Sequence, residues 1–157
     1  MSEALPIKPH HFVDILADFG RGRTDFQPHP YGHDLHTVAA RILAEHDLRL
    51  LIAVGADAVC EPCRHNAEGI CVDGMPDSQS RYVGVPDGKE EWNRRIDGRW
   101  CAVLRVSEGE ETTAAELCGR LLGARSTIGE IYRELPPSYA QQKSKDLAVG
   151  IQLLLSR

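Results

Sequence analysis

The sequence predicts an α+β domain, mostly helical, with a small sheet of few strands and a metal-binding cysteine loop. Three observations carry that expectation. Apolar residues recur at helical spacing along several stretches, one strand-like run ends at a glycine, and cysteines crowd into the turn-rich segment that follows it. At 157 residues the chain is expected to form one domain, residues 1–157. A domain of this size buries roughly two thirds of its unfolded surface, so its core needs neither metal nor disulfide.

The first helix is expected after Pro9, where Phe12, Ile15, Leu16 and Phe19 form one apolar stripe that Gly20 and Gly22 end. Its polar face carries His10, His11, Asp14 and Asp18. A second helix is expected from about Asp34 to Glu45, with Leu35, Val38, Ala39, Ile42 and Leu43 as its stripe. "LRLLIAVGAD" reads as a strand closing at Gly55, and the cysteine loop starts at once. "MPDSQSRYVGVPDG" is turn-rich. "DGKEEWNRRID" reads as a short helix with Asp87 as N-cap and Glu90 completing a capping box. "RWCAVLRV" fits a strand or a continued helix. Thr113 and Glu116 form a second capping box, "STIGEIYREL" is a helix stopped by Pro136 and Pro137, and a last amphipathic helix carries Leu147, Ile151 and Leu154.

Apolar residues make up 42% and charged residues 26%, as in ordinary globular domains. A net charge of -5 argues against a nucleic-acid partner. No apolar run spans a bilayer, and "MSEALPIKPHHF" lacks a basic segment followed by an apolar one, so the expected compartment is the cytoplasm with no membrane partner. In a reducing compartment, five cysteines, an odd number, fit a disulfide framework poorly.

Cys60, Cys63 and Cys71 follow the pattern C-x2-C-x7-C, and Cys101 comes after a further gap. Three chemistries fit. The first is an iron–sulfur cluster, of the 4Fe–4S type, on Cys60, Cys63, Cys71 and Cys101. The second is zinc on the same ligands, or with His65 replacing one. The third is a bare redox pair. Structural zinc favours two close pairs and only one is present, whereas clusters tolerate irregular spacing. Pro62 and the glycine-bearing sequel do not look like the helix start that a redox pair uses. The expectation is an iron–sulfur cluster, with zinc as the alternative cofactor. Cys118, beside Leu117, Leu121 and Leu122, reads as a buried small hydrophobe.

Six of the seven histidines precede residue 47. His10 and Asp14 stand four apart and share a helix face, as do His33 and His36 three apart. If the two helices meet, His10, His11, Asp14, His33 and His36 form a candidate catalytic centre or an imidazole–carboxylate metal set. His46 is expected on the surface and His65 as a donor to a thiolate. Arg21 and Arg23 are candidates for binding an anionic group. Trp92 and Trp100 are expected in the core.

The order "KPHHFVDILADFGRG", "YGHDLHTVAARIL", a strand and "GADAVCEPCRHNAEGIC" resembles a family of small bacterial and archaeal proteins classed as a domain of unknown function and described as iron–sulfur-binding. The resemblance covers Lys8 to Cys71 and fades beyond Cys101. It implies that His10, His11, Cys60, Cys63 and Cys71 are motif positions. Two positions depart from the family pattern: Asp14 stands where the family has a cysteine, and Arg64 where it has proline. The first departure removes a thiolate and leaves Cys101 or Asp14 to replace it.

The expected function is therefore a metal-binding protein with a redox or regulatory role. The alternatives are a metal-dependent enzyme, using the histidine cluster or an open cluster iron, and a structural zinc protein. A small molecule or a protein redox partner is expected, and the last helix offers a face for a second copy.

Overall fold

A computed structural model describes residues 3–45 and 47–157. His46, expected on the surface, lies outside the described residues. In chain order the elements are β1 (Leu5–Ile7), α1 (Pro9–Gly20), α2 (Leu35–Ala44), β2 (Arg49–Ile52), β3 (Asn66–Ala67), β4 (Ile70–Cys71), α3 (Asp77–Ser80), α4 (Lys89–Leu104), β5 (Glu111–Thr113), α5 (Ala114–Gly123), α6 (Ile128–Ile131) and α7 (Pro137–Leu155). The fold is α+β and mostly helical with a small sheet, as the sequence predicts.

The sheet has the order β1-β2-β5. β1 runs parallel to β2, with Leu5 opposite Leu50 and Ile7 opposite Ile52, and β5 is antiparallel on the other side. Leu50 and Ile52 are buried, so the centre strand anchors the sheet to the core. β1 and β5 are three residues each, too short to show an alternating pattern in sequence.

Pro9 occupies the first turn of α1, where a missing N–H is no loss. Phe12, Ile15, Leu16 and Phe19 are all buried, as the stripe predicts. α1 packs on α7 at very close range. A Cβ on Gly20 would lie 1.9 Å from the Asp146 carbonyl oxygen, and one on Gly150 would lie 1.9 Å from that of Leu16. On α7, Leu147, Ile151 and Leu154 are consumed by this internal packing, and Val149 and Leu153 face outward.

α4 resolves the ambiguity of "RWCAVLRV": the segment continues one helix to Leu104, capped by Arg105 in the left-handed region at φ 57°. Trp92, Ile96, Trp100 and Leu104 recur every fourth residue, and all four are buried. The expected capping box at Asp87 is not formed. Gly88 is the N-cap, and the Glu90 carboxylate accepts from the Cys71 N–H instead. The Thr113–Glu116 box has both reciprocal bonds. The expected helix from Ser126 is a 3-10 turn followed by the single turn of α6. Ile128, Ile131, Tyr132 and Leu135 all bury there, at the i, i+3, i+4, i+7 spacing that one helical face gives.

Candidate metal centre

The start of α1 places His10 and His11 against two different partners. The Asp97 carboxylate, on α4, takes the His10 ring through Nδ1 at 2.7 Å and the His10 backbone N–H at 2.7 Å. The Asp57 carboxylate, on the loop after β2, takes His11 Nδ1 at 2.7 Å. Both carboxylate side chains are fully buried. A carboxylate on Nδ1 fixes the hydrogen there and leaves Nε2 as the free base. The two ring centroids lie 4.3 Å apart. Burial pulls the His10 pKa down, but the attraction and hydrogen bond of Asp97 outweigh it and hold it above the ordinary value.

Asp57 also builds the cysteine loop. Its Oδ1 accepts from the N–H groups of Val59 and Cys60, and its Oδ2 from Lys8 N–H as well as His11. Burial would raise its pKa, but these partners, His11 foremost, hold it far below the carboxylate range. One carboxylate thus ties the cysteine turn to the histidine helix. The loop then winds through a Cys63 N–H to Cys60 carbonyl bond of 2.9 Å and an Asn66 N–H to Cys63 carbonyl bond of 3.0 Å. β3 and β4 close it as a hairpin whose two turn residues, Glu68 (φ 52°) and Gly69 (φ 89°), are both left-handed. Glu90 then fixes the Cys71 N–H at 2.8 Å.

The result is a cavity of about 110 Å³ lined by Cys60, Cys63, Cys71, His65, His11 and Lys8, among others. His65 Nε2 is buried there without a hydrogen-bond partner. Lys8 is 1% exposed, an ammonium stem buried beside thiols. Burial and the nearby Asp57 push the Cys60 thiol up to about 11. His11, Asp57 and Cys60 bring ligand atoms within 4.8 Å of one another, close enough to share an ion. Asp57 already accepts four N–H groups in this cluster, so its part is to orient its neighbours.

A second cavity, about 350 Å³, is also lined by His11, together with His10, Asp14, His29 and His33. The two cavities share His11, Tyr31, His33, Lys89 and Asn93. Asp14 accepts from Lys143 through Oδ1. His29 and His33 stack at 4.5 Å, and the Nδ1 of each accepts a backbone N–H, from Tyr31 at 3.1 Å and Leu35 at 3.4 Å. Burial and the neighbouring His29 and His11 push the His33 pKa down.

The structure brings Cys60, Cys63 and Cys71 together, and likewise His10, His11, Asp14 and His33. It does not bring Cys101. Asn93 lines both cavities, and Cys101 lies two turns further down the same helix, about 12 Å away at 1.5 Å per residue. It neighbours Asp97, Glu108 and Glu110, and burial with these charges pushes its thiol up to about 11. Asn93 and Cys101 share α4, and of the two only Asn93 lines the cavities. His36 also stays apart, in a smaller cavity with Phe26 and Leu43, its Nδ1 buried and without a partner. Arg21 and Arg23 line neither cavity. Arg21 lies 3.7 Å from Asp146 and Arg23 2.9 Å from Asp18, so a carboxylate of the chain itself takes each. Cys118 is buried, and its thiol is pushed up to about 12.

Sequence reasoning missed Asp57, Asp97, His29, Lys8 and Glu90 as parts of the site. Asp57 had a local signal, an Asp three residues before the first cysteine, the spacing of a side-chain cap. Asp97 had none, since its partner is 87 residues away. A cavity of about 600 Å³ along Arg125, Tyr132 and Lys145 is lined by no histidine, cysteine or carboxylate. Among the described residues no helix is long and apolar enough to cross a membrane. Comparison with family models, curated proteins and solved structures gives no match. The residues themselves therefore define the site: a histidine, aspartate and cysteine cluster with the ligand chemistry of a metal centre.

Proposed function

We propose that the chain is an iron–sulfur protein in which Cys60, Cys63 and Cys71 hold the cluster, His65 stands at the fourth position, and the role is redox or regulatory. One observation carries the reading. Three cysteines line a single small cavity in which a buried imidazole nitrogen, His65 Nε2, has no partner. An orphaned buried nitrogen costs about 1–3 kcal/mol unless something binds it, and a metal is what three thiols and an imidazole share. The buried Lys8 ammonium offsets the negative charge that thiolates bring.

Spacing favours a cluster over a lone zinc ion. Tetrahedral zinc with bonds of about 2.3 Å draws its sulfurs to about 3.8 Å from one another. Among the described residues the three thiols are not a group within 4.8 Å. A cluster puts a separate iron under each thiolate and spreads them. When bound, such a cluster supplies one-electron chemistry or, with an open iron, a Lewis acid. The chain contributes thiolates held by the Asp57 cap and the Glu90 bond to Cys71. Ile70 and Val72 flank Cys71 and are 52% and 63% exposed, an apolar rim where a redox partner would come close to the cluster. The shared wall of the two cavities favours a second reading, a cluster that acts on a small molecule held among the histidines.

The test is iron, sulfide and zinc analysis of anaerobically purified protein beside Cys63→Ser and His65→Ala. The reading expects iron and sulfide in the parent, their loss in Cys63→Ser, and a less stable cluster in His65→Ala. Zinc alone in the parent would overturn it in favour of a structural zinc protein. A catalytic role predicts turnover that His33→Ala abolishes while the iron content holds.

A further inference from the structure

We infer that the cleft lined by the α6 segment and the first half of α7 is a second ligand site, for a phosphate monoester with a flat or apolar body of about nucleotide size. It shares no residue with the cysteine cavity, so it stands or falls separately from the cluster.

The argument begins with charge. Arg125, Arg133 and Lys145 line this cleft, and no carboxylate does. The chain has a net charge of -5, and elsewhere its carboxylates take up cations. Lys89, Arg94, Arg99 and Lys143 each face one. Among the described residues, the side chains of Arg125, Arg133 and Lys145 have neither an ion-pair nor a hydrogen-bond partner. The neighbouring carboxylates are engaged elsewhere or stand outside the lining. Glu134 is held by Arg95 and Arg99, and Asp146 by Gln142 and, at 3.7 Å, by Arg21. Glu130 does not line the cleft. Like charges around one hollow repel one another, and an anion among them relieves that repulsion.

Shape points to an organic anion. The cleft holds about 600 Å³, within the range of small-molecule sites and far more than a bare phosphate fills. Its floor is apolar: Ile128, Tyr132, Leu135 and Ala140 line it, and all four are buried. Its rim is polar: the three cations are exposed, with the hydroxyls of Ser126 and Ser144 beside them. A monocarboxylate brings one charge and two oxygens. A phosphate monoester brings about two charges at pH 7 and three acceptor oxygens, which suits three cations and two hydroxyls better. The guanidinium fork also matches phosphate geometry. Gly129 leaves the hollow open, since a Cβ added there would meet nothing within 4 Å.

The experiment is an amide NMR titration of the isotope-labelled full chain with adenosine monophosphate, adenosine and inorganic phosphate in parallel. The monophosphate should shift amides within residues 125–145 foremost, and bind at least tenfold tighter than adenosine or phosphate alone. Arg133→Gln and Lys145→Gln, both at exposed positions, should each weaken it about tenfold, the worth of one hydrogen bond to a charged group. Gly129→Leu keeps every charge and fills the hollow, so it should abolish binding. That loss separates a shaped site from general attraction to a basic surface. Cys63→Ser should bind as the parent does. No shift within residues 125–145, adenosine or inorganic phosphate binding as tightly as the monophosphate, or parental binding in Gly129→Leu, overturns the proposal. If Gly129→Leu fails to fold, Arg133→Gln and Lys145→Gln decide, and parental binding in both overturns it.

Discussion

Asp57 does more than any other single residue in this site. Four N–H groups converge on it, two from the cysteine turn, one from Lys8 and one from His11. Its replacement by Asn keeps the shape but exchanges two acceptor positions for an NH2 that faces donors. We predict that Asp57→Asn costs about 3 kcal/mol in urea unfolding, near the cost of a broken buried charge pair, and lowers metal content as the Cys60 turn loosens. Cys118 is the control. It is buried among leucines, so Cys118→Ala should leave metal content unchanged and cost about 1 kcal/mol or less. At this scale the sequence was informative where chemistry is local. Cys60, Cys63 and Cys71 announced themselves by spacing, and His10 and His11 by adjacency. Cys101 misled because a residue type carries no direction. Asp97 was silent because nothing in its own neighbourhood reveals a partner on another helix.

The elements matter through how closely they approach. α1 and α7 meet at Gly20 and Gly150, where any Cβ would strike backbone that cannot swing aside. Gly150→Ala should therefore destabilise by about 3 kcal/mol, the upper range for overpacking, although alanine is the better helix former. Gly119, at an exposed position of α5 with nothing within 4 Å of an added Cβ, should respond oppositely. Gly119→Ala gains up to about 1 kcal/mol, and the paired denaturation curves check both signs. α4 is tied to the segment before α7 by Arg99 and Arg95 on Glu134, with Arg99 at 2.7 Å. Hydrogen bonding from Arg99 leads the causes that hold Glu134 down to about 2 from 4.5. A depressed folded pKa stabilises above the unfolded value, so this contribution is present above about pH 4.5 and fades as pH falls toward 2. Glu134→Gln should cost about 2 kcal/mol at pH 7, and the gap from the parent should close by about pH 2. Long amphipathic helices were legible because their stripes span several turns. β1, β5 and the β3–β4 hairpin were not, since two or three residues hold too little pattern and their pairing is set by tertiary context.

At the scale of the whole molecule, the core does not depend on the metal. Buried residues from α1, α2, α4, α5, α7 and the sheet form one cluster, and the cysteine loop sits at its edge. The fold class could be read from the sequence because it follows from the summed helical stripes. The shared wall of the two cavities could not, because it is built of His11, Tyr31, His33, Lys89 and Asn93, residues far apart in sequence. Chelation should accordingly lower thermal stability without unfolding the chain: far-ultraviolet circular dichroism should keep its helical signal while proteolysis between Val59 and Asp73 accelerates. The central claim is that Cys60, Cys63 and Cys71 hold an iron–sulfur cluster. Its most direct test is iron, acid-labile sulfide and zinc analysis, with the visible spectrum, of untagged protein purified without oxygen. The account predicts several irons and matching sulfide per chain, with a visible absorption that Cys63→Ser removes and Cys101→Ser leaves. Zinc without sulfide, or a spectrum lost in Cys101→Ser, would contradict it.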